Sequence, residues 1–568
     1  MSVLSQLVRR VWSLPPITTP NVAVERDLRT PTRDGLVLLS DRYYPRGVGP
    51  VPTVLVRSCY GRRGLMGFQY GQLFAERGFQ VVVQSTRGAY GSGGELDPLV
   101  HEANDGQDTI AWLRHQPWFT EPLGLLGASY LGYTQWAIGL DPPPELAAMS
   151  IQMGPRDPVR TIYPGGAFAL ENWLTWAEDI TGRPWADTVL RASVEGALSG
   201  RKVLRRLAPA WKALPFQAGY RKALGRSAPF LEDWMAHPAD GPYWQARSVA
   251  AAADQVTVPV GLLSGWYDAF LPDTLDAYQR LRARGVPTRL TIGAWPHTGL
   301  GDDWPAMFRD GYSWLSTHLQ GKTSADRRDE SSGCGGAGVR VFALGAAGGW
   351  LDLPGWPPPF RTEAMYLQPD GELRPEPPPN SDPDRFRYDP AHPTPSVGGA
   401  TLAADAGATD NRSLEKRPDV LTYTSRPLTE ALQLAGSVSA ELHVQPDQLG
   451  ADVFVRLCDV APGGLSTNIC DALLRLPLEG GAGAGEIRIV ELDLGATVYQ
   501  FAPGHCLRVL ISGGAHPRWV RNYGTADPWP TATRLVQVQH AVHHSPEHAS
   551  VVRLPVAPVL LVGQAAGG

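Results

Sequence analysis

Leu123-Gly124-Leu125-Leu126-Gly127-Ala128-Ser129-Tyr130-Leu131-Gly132-Tyr133-Thr134-Gln135-Trp136-Ala137-Ile138 reads as a buried strand, a sharp turn and a helix-compatible run. A serine at a strand-to-helix turn sits in strained backbone with its Oγ exposed. Small neighbours let such a turn close, a role that falls to Gly127 and Gly132. The general elbow is G-x-S-x-G. Here Leu131 occupies the last position and glycine follows one later, which departs from that pattern. The strand before the serine and the helix after it are what give the motif its weight.

The neighbouring text alternates in the same way. Leu36-Val37-Leu38-Leu39 follows the turn Arg33-Asp34-Gly35, a hairpin signal. Pro52 to Arg57 and Phe79 to Gln84 read as buried strands. Phe68 to Arg77 reads as a helix stopped by Gly78, and Asp105 to Arg114 as a helix with an Asp start signal. After an interruption, Val258 to Leu263 and Thr288 to Ile292 return to buried-strand character around a helix from Leu271 to Arg284. Strands and helices in this rhythm predict a doubly wound, mostly parallel α/β sheet.

The interruption, about 160 to 250, carries helical periodicity at Leu170–Ile180, Asp187–Leu207 and Pro229–Ala236. It reads as a helical insertion. Ser324 to Gly338 is charged, then Ser/Gly-rich, and reads as a linker. Beyond it come short alternating runs such as Val339–Phe342, Ser437–Val444, Val453–Leu457, Leu507–Ile511 and Ser550–Leu554, with turns rich in Gly, Pro and Asp. These predict a β-sandwich of the jelly-roll kind. The expected division is 1–160 and 251–325 for the two parts of the α/β domain, 161–250 for a helical cap, and 335–568 for the β-sandwich.

The chain has 568 residues, enough for three to four domains at about 150 residues each. Lys+Arg 51 against Asp+Glu 56 gives a net charge of −5, so charge offers no attraction to nucleic acid. No apolar run reaches the ~18 residues of a membrane span, and no signal peptide is read at Met1 to Pro16. The five cysteines are widely spaced without a C-x-x-C pair, which argues against a disulfide framework or zinc site and for a cytoplasmic setting. The 62 glycines, 52 prolines and 18 tryptophans fit a loop-rich chain with large aromatic anchors.

A serine hydroxyl needs a base to become a nucleophile, and the base needs an orienting carboxylate. In this fold class they follow in the order Ser, Asp/Glu, His, each after a strand. Asp268 follows the strand ending at Ser264, and His297 follows the strand ending at Ile292. Both fall at strand C-terminal ends, where open α/β sheets place their sites. Alone, Asp268 also fits a helix N-cap, a duty Asp273 can take instead, and His297 fits a loop histidine bonded to backbone. With Ser129 in the required order, the three form a candidate triad. A tetrahedral intermediate also needs oxyanion donors. The Tyr130 N–H, one past the nucleophile, is the expected first. The second is expected from Ser58-Cys59-Tyr60-Gly61-Arg62, where Tyr60 is either a phenol donor or a packed aromatic.

These residues resemble a known family. Val56 to Arg62, Val83 to Gly88, Gly127-Ala128-Ser129-Tyr130-Leu131-Gly132, Gly265-Trp266-Tyr267-Asp268 and Trp295-Pro296-His297 are similar to the CocE/NonD hydrolases, cocaine-esterase-like relatives of the X-Pro dipeptidyl peptidases. Glu171 to Trp176 resembles the family's cap, and Asp419–Tyr423 with Asn468–Asp471 its C-terminal jelly roll. The G-x-S-Y-x-G elbow is the family's own, so Leu131 fits it. The resemblance implies an α/β-hydrolase fold with cap and jelly roll. It implies an esterase or amide hydrolase working through an acyl-enzyme, and it assigns Tyr60 to the oxyanion hole beside the Tyr130 N–H.

Trp173 and Trp176 lie three apart on one helical face, either as core packing of the cap or as an aromatic wall of the acyl pocket. An X-Pro dipeptidyl peptidase or α-amino-acid ester hydrolase would instead need carboxylates to hold an ammonium; Glu171, Glu178 and Asp179 are the candidates. A reading from another class is a non-catalytic binding protein that uses the jelly roll. Arg87 is expected to form structural ion pairs. The histidines His540, His543, His544 and His548 fit no zinc spacing, so no metal and no organic cofactor is expected. The expected partner is a small-molecule acyl substrate. The oligomeric state is left open, a homodimer included.

Overall fold

The computed structural model describes residues 3–182, 205–239, 241–297, 303–322, 338–403, 405–478 and 484–558. The linker read at Ser324 to Gly338, except Gly338 itself, and most of the helix read at Asp187 to Leu207 lie outside them, although 205–212 is helical.

The N-terminal half is built on a sheet of β1 (Val22–Pro31), β2 (Val37–Pro45), β3 (Thr53–Ser58), β4 (Gln80–Ser85), β5 (Leu123–Ala128), β6 (Leu146–Gln152), β7 (Val260–Tyr267), β8 (Thr288–Pro296) and β9 (Val339–Gly345). β1 and β2 form the antiparallel hairpin announced by Arg33-Asp34-Gly35. β2 pairs antiparallel with β4. From β4 the strands run parallel through β3, β5, β6, β7, β8 and β9. β3, β4 and β7 are buried along their whole length, as continuous apolar runs covered on both faces should be. β9 joins two regions: Val339 to Val341 pair with Leu290 to Ile292 of β8, while Leu344 and Gly345 pair with Tyr499 and Gln500 further along the chain.

Two helices depart from the sequence reading. The helix read as starting at Asp105 runs Glu102–Arg114, because Asp105 is drawn inward to an ion pair with Arg87 and does not cap. The helix read over Phe68 to Arg77 widens to a π turn at Gly67–Gln72. Gly67 and Gly71 lie against the Tyr43 ring there; a Cβ on Gly71 would sit 2.6 Å from Tyr43 Cγ. That close approach is available only to glycine.

Between β6 and β7 the described elements are helical, among them Leu170–Gly182, Phe216–Leu224 and Pro229–Ala236. After β9 the chain is β-rich. Leu432–Pro446 is the hub of one antiparallel layer, pairing with Arg488–Phe501, Val538–Ser545 and Val551–Ala557. Val420–Thr424, Cys506–Ser512, Asp452–Val460 and Ser466–Arg475 form a second. Leu434 and Val438 of the first layer share one apolar core with Val455 and Val509 of the second. No helix among the described residues is long and apolar enough to cross a membrane.

Candidate active site

Ser129 stands between β5 and the helix Tyr130–Ile138 with φ 59° and ψ −126°. A non-glycine residue there carries about 1–3 kcal/mol of strain. Its surroundings hold it: Ser129 N–H donates to Gln152 O at 2.9 Å, and Ser129 O accepts from Gly132 N–H at 2.8 Å. Gly127 has φ 155°, and a Cβ on it would lie 2.4 Å from Leu131 Cβ. Gly132 explains the shifted glycine of the motif. A Cβ there would lie 2.6 Å from Gly154 Cα and 3.1 Å from Ile151 Cγ2, so the helix leaves the elbow pressed onto the end of β6.

The structure brings Ser129, Asp268 and His297 together. His297 follows β8 directly, and its Nε2 is 3.0 Å from Ser129 Oγ. Its Nδ1 is 2.8 Å from Asp268 Oδ1. Asp268 follows β7, and its side chain is fully buried. Two more donors converge on it: Ser264 Oγ at 2.6 Å and Phe270 N–H at 3.1 Å. A carboxylate surrounded by three donors can only accept, so the Nδ1 carries the proton and Nε2 is left to accept from the serine. Phe270 packs edge-on against the imidazole at 4.8 Å. Asp273, the alternative cap, turns elsewhere and accepts from Arg156 N–H and Asp157 N–H at 2.7 and 3.0 Å.

Tyr60 lies just past the end of β3, its N–H bonded to Ser58 Oγ at 3.0 Å. Tyr60 and Ser129 line one cavity. Burial pushes the Tyr60 phenol well above its ordinary range, so it remains a protonated donor. Tyr130 opens the helix after the elbow, where the first N–H groups have no intrahelical acceptor. Its own phenol points away, donating to the buried carboxylate of Glu102. Burial raises the Glu102 carboxyl and raises the neighbouring Cys59 thiol, which keeps that thiol unreactive.

The cavity has a volume of about 420 Å³ including its mouth, with walls from Trp173, Trp176, Trp234, Phe270 and Leu402. Trp173 and Trp176 are packed aromatics that also line the cavity. They pack edge to face at 5.6 Å within the apolar core, and they face Ser129. Trp173 Nε1 donates to Thr161 O, and Trp176 Nε1 donates to the Tyr60 hydroxyl at 3.0 Å. Leu402 comes from far along the chain. The Asn172 side chain holds its loop, accepting from Thr401 Oγ1 at 2.7 Å and Leu402 N–H at 2.9 Å.

The acidic candidates lie outside this wall. Glu178 is paired with Arg206 and Arg226. Glu171 accepts from Thr401 Oγ1, and burial raises its carboxyl to about 7. Arg87 pairs with Asp34 and Asp105. Of the four histidines, His540 stacks on Phe386, His543 meets Gln445 and His544 meets Asp384. Ser264, Phe270, Trp234 and Leu402 were not singled out from the sequence. Ser264 had a signal, as the hydroxyl on the strand preceding Asp268; Leu402 had none, because a long-range loop contact leaves no local pattern.

Residues 34–299 match the model of the X-Pro dipeptidyl-peptidase (S15 family), and residues 336–553 that of the X-Pro dipeptidyl-peptidase C-terminal non-catalytic domain. The chain is 30% identical to the cocaine esterase of Rhodococcus sp. (strain MB1 Bresler), over 94% of this chain and 99% of that one. The chain belongs to the CocE/NonD hydrolases. Two solved structures share the fold. An α-amino acid ester hydrolase superposes with a TM-score of 0.77 at 23% identity, covering 96% of this chain and 98% of its own. A CocE/NonD family hydrolase from Staphylococcus aureus superposes with a TM-score of 0.66 at 17% identity, covering 94% of each chain. As a CocE/NonD hydrolase, the chain is a serine ester hydrolase, and its α/β sheet and β-rich C-terminal half are those of the family.

Proposed function

We propose that this CocE/NonD hydrolase cleaves esters of uncharged, largely apolar acyl groups through an acyl-enzyme on Ser129. The observation that carries the reading is the continuous chain Ser129 Oγ, His297, Asp268, with links of 3.0 and 2.8 Å, opening into an aromatic cavity. His297 Nε2 takes the serine proton as Oγ attacks the carbonyl carbon. Asp268 holds the imidazole in the right tautomer and stabilises the imidazolium. Tyr60 O–H and Tyr130 N–H hold the oxyanion. His297 then protonates the leaving alcohol, and water, deprotonated by the same imidazole, releases the acid.

The apolar acyl preference rests on the wall composition: among the described residues the lining is mostly aromatic and aliphatic, the guanidinium of its Arg156 is engaged by Ala250 O and Asp276, and no carboxylate lines the cavity. That disfavours the dipeptidyl peptidase and amino-acid ester hydrolase readings, in which an ammonium needs a counter-charge. N-acylated amino-acid esters should turn over faster than the same esters with a free amine; the reverse order would restore those readings. The two antiparallel layers support a jelly roll for 335–568, with 1–160 and 251–325 as the α/β domain and 161–250 as the cap. The described cysteines are free thiols, which supports a cytoplasmic setting.

The mechanism is tested by Ser129→Ala. It should abolish hydrolysis of p-nitrophenyl esters while leaving the thermal transition within a few degrees of the unmodified protein. Retained turnover would exclude Ser129 as the nucleophile.

A further inference from the structure

Among the described residues three tryptophans, Trp173, Trp176 and Trp234, line the cavity, and their indole N–H groups are used differently. Trp234 Nε1 is buried without a hydrogen-bond partner among the described residues. Trp173 Nε1 goes to a backbone carbonyl of its own region, Thr161 O at 3.0 Å. Trp176 Nε1 alone of the three reaches across to the hydroxyl of Tyr60, 116 residues earlier in the chain, at 3.0 Å. An apolar wall needs no N–H at that point. We propose that Trp176 is a positioning residue for the oxyanion site, its indole N–H fixing the direction in which the Tyr60 hydroxyl donates. The inference rests on Tyr60 being an oxyanion donor.

An indole N–H donates and cannot accept, so the Tyr60 oxygen is the acceptor in this bond. A phenol O–H stays near the ring plane. With one side of the oxygen taken by the incoming indole hydrogen, its own hydrogen is turned to the other. Besides Trp176, the Cys59 thiol and the Ser129 hydroxyl both bear on the Tyr60 hydroxyl, and Tyr60 and Ser129 line one cavity. The indole thereby keeps the Tyr60 O–H off its own side and leaves it, in the proposal, to turn to the carbonyl over Ser129, which is the preorganisation an oxyanion donor needs. A hydroxyl whose oxygen accepts a hydrogen bond is also a better donor, because the chain polarises cooperatively.

The indole is itself held rigidly. It stacks on Trp234 at 5.9 Å with planes 8° apart, and on Tyr130 at 5.9 Å with planes 25° apart. Phe230 and Trp173 close its edges at 5.8 and 5.6 Å. Trp176 therefore packs on the residue that supplies one oxyanion donor and hydrogen-bonds the residue that supplies the other. The helix Leu170–Gly182 couples the insertion between β6 and β7 to the charge-stabilising end of the site.

The test replaces Trp176 by 3-benzothienylalanine, which keeps the bicyclic shape and loses the N–H, and separately by phenylalanine (Trp176→Phe). Each is made in the native chain and in a Tyr60→Phe chain, with kcat and KM measured on a p-nitrophenyl ester. In the native background the benzothienyl variant should lower kcat about tenfold, the scale of one hydrogen bond, with KM within about twofold. In the Tyr60→Phe background the same replacement should cost less than about twofold, because there is no hydroxyl left to orient. Equal losses in both backgrounds, or no loss from the benzothienyl residue, would overturn the proposal and leave Trp176 as wall alone. The benzothienyl variant decides even if Trp176→Phe folds poorly. Should Tyr60→Phe by itself keep full kcat, the oxyanion assignment of Tyr60 fails, and this inference with it.

Discussion

Ser129 holds φ 59° at the end of a strand whose other residues are extended, and three hydrogen bonds around Gln152, Gly132 and Tyr133 keep it there. Strain of about 1–3 kcal/mol is tolerable because each neighbour gains a satisfied backbone group in return. Opposite it, Tyr60 supplies a hydroxyl that burial keeps protonated. Tyr60→Phe keeps the ring and its packing. It should lower kcat about 10²–10³-fold, the measured scale for one oxyanion donor, with stability changed by about 1 kcal/mol for the stranded Trp176 N–H. Steady-state kinetics with a denaturant melt would check both parts. A loss confined to KM would return Tyr60 to a packing role. The candidate triad is legible in the sequence because Ser129, Asp268 and His297 each follow a strand directly. Ser264 was not singled out, because the sequence could not say that its hydroxyl turns toward Asp268 at 2.6 Å.

The strand-turn-helix around Ser129 works as one element, and its glycines set how closely it packs. Gly132 lies with its Cα against Gly154, at a distance no side chain fits. Gly132→Ala should therefore push the helix Tyr130–Ile138 off the end of β6. The expected cost is about 1–3 kcal/mol of stability, with a fall in kcat because the Tyr130 N–H moves along with the helix. Chemical denaturation and kinetics on the same variant measure the two effects. Unchanged stability would mean the contact relaxes freely. Buried strands were readable from their unbroken apolar runs, since β3, β4 and β7 are covered on both faces. The π turn at Gly67–Gln72 was not, because its cause is the Tyr43 ring from another strand. Propensity describes a segment's own chain and is silent about what leans on it.

At the scale of the molecule, the cavity is assembled from distant pieces: β-strand ends, the helix Leu170–Gly182, and Leu402 held by Asn172. Such assembly cannot be read from local pattern; the family resemblance implies a cap and a C-terminal domain, and the contacts between them appear only in the folded chain. The β-rich half also carries a pH dependence. Burial lowers the His540 imidazole from 6.5 to about 4. The folded chain thus binds that proton more weakly than the unfolded chain. The stability it contributes is complete above pH 6.5 and is lost as pH falls toward 4, about 2 kcal/mol of it by pH 5. Glu171, raised to about 7, works in the opposite direction, losing stability as pH rises from 4.5 through 7. The sign is therefore read by difference. His540→Phe keeps a ring against Phe386, and from pH 7 to pH 5 the native protein should lose more Tm than this variant. Parallel profiles would show that His540 does not carry the effect.

The central claim is that one serine becomes covalently acylated during turnover. Reaction with a fluorophosphonate probe, followed by peptide mapping, tests it without knowledge of the natural substrate. One equivalent of label should appear on the Ser129 peptide, and the His297→Ala and Ser129→Ala proteins should take up essentially none. A natively folded protein that stays unlabelled, or that carries its label on another residue, would contradict the account and favour a binding protein built on a silent hydrolase frame.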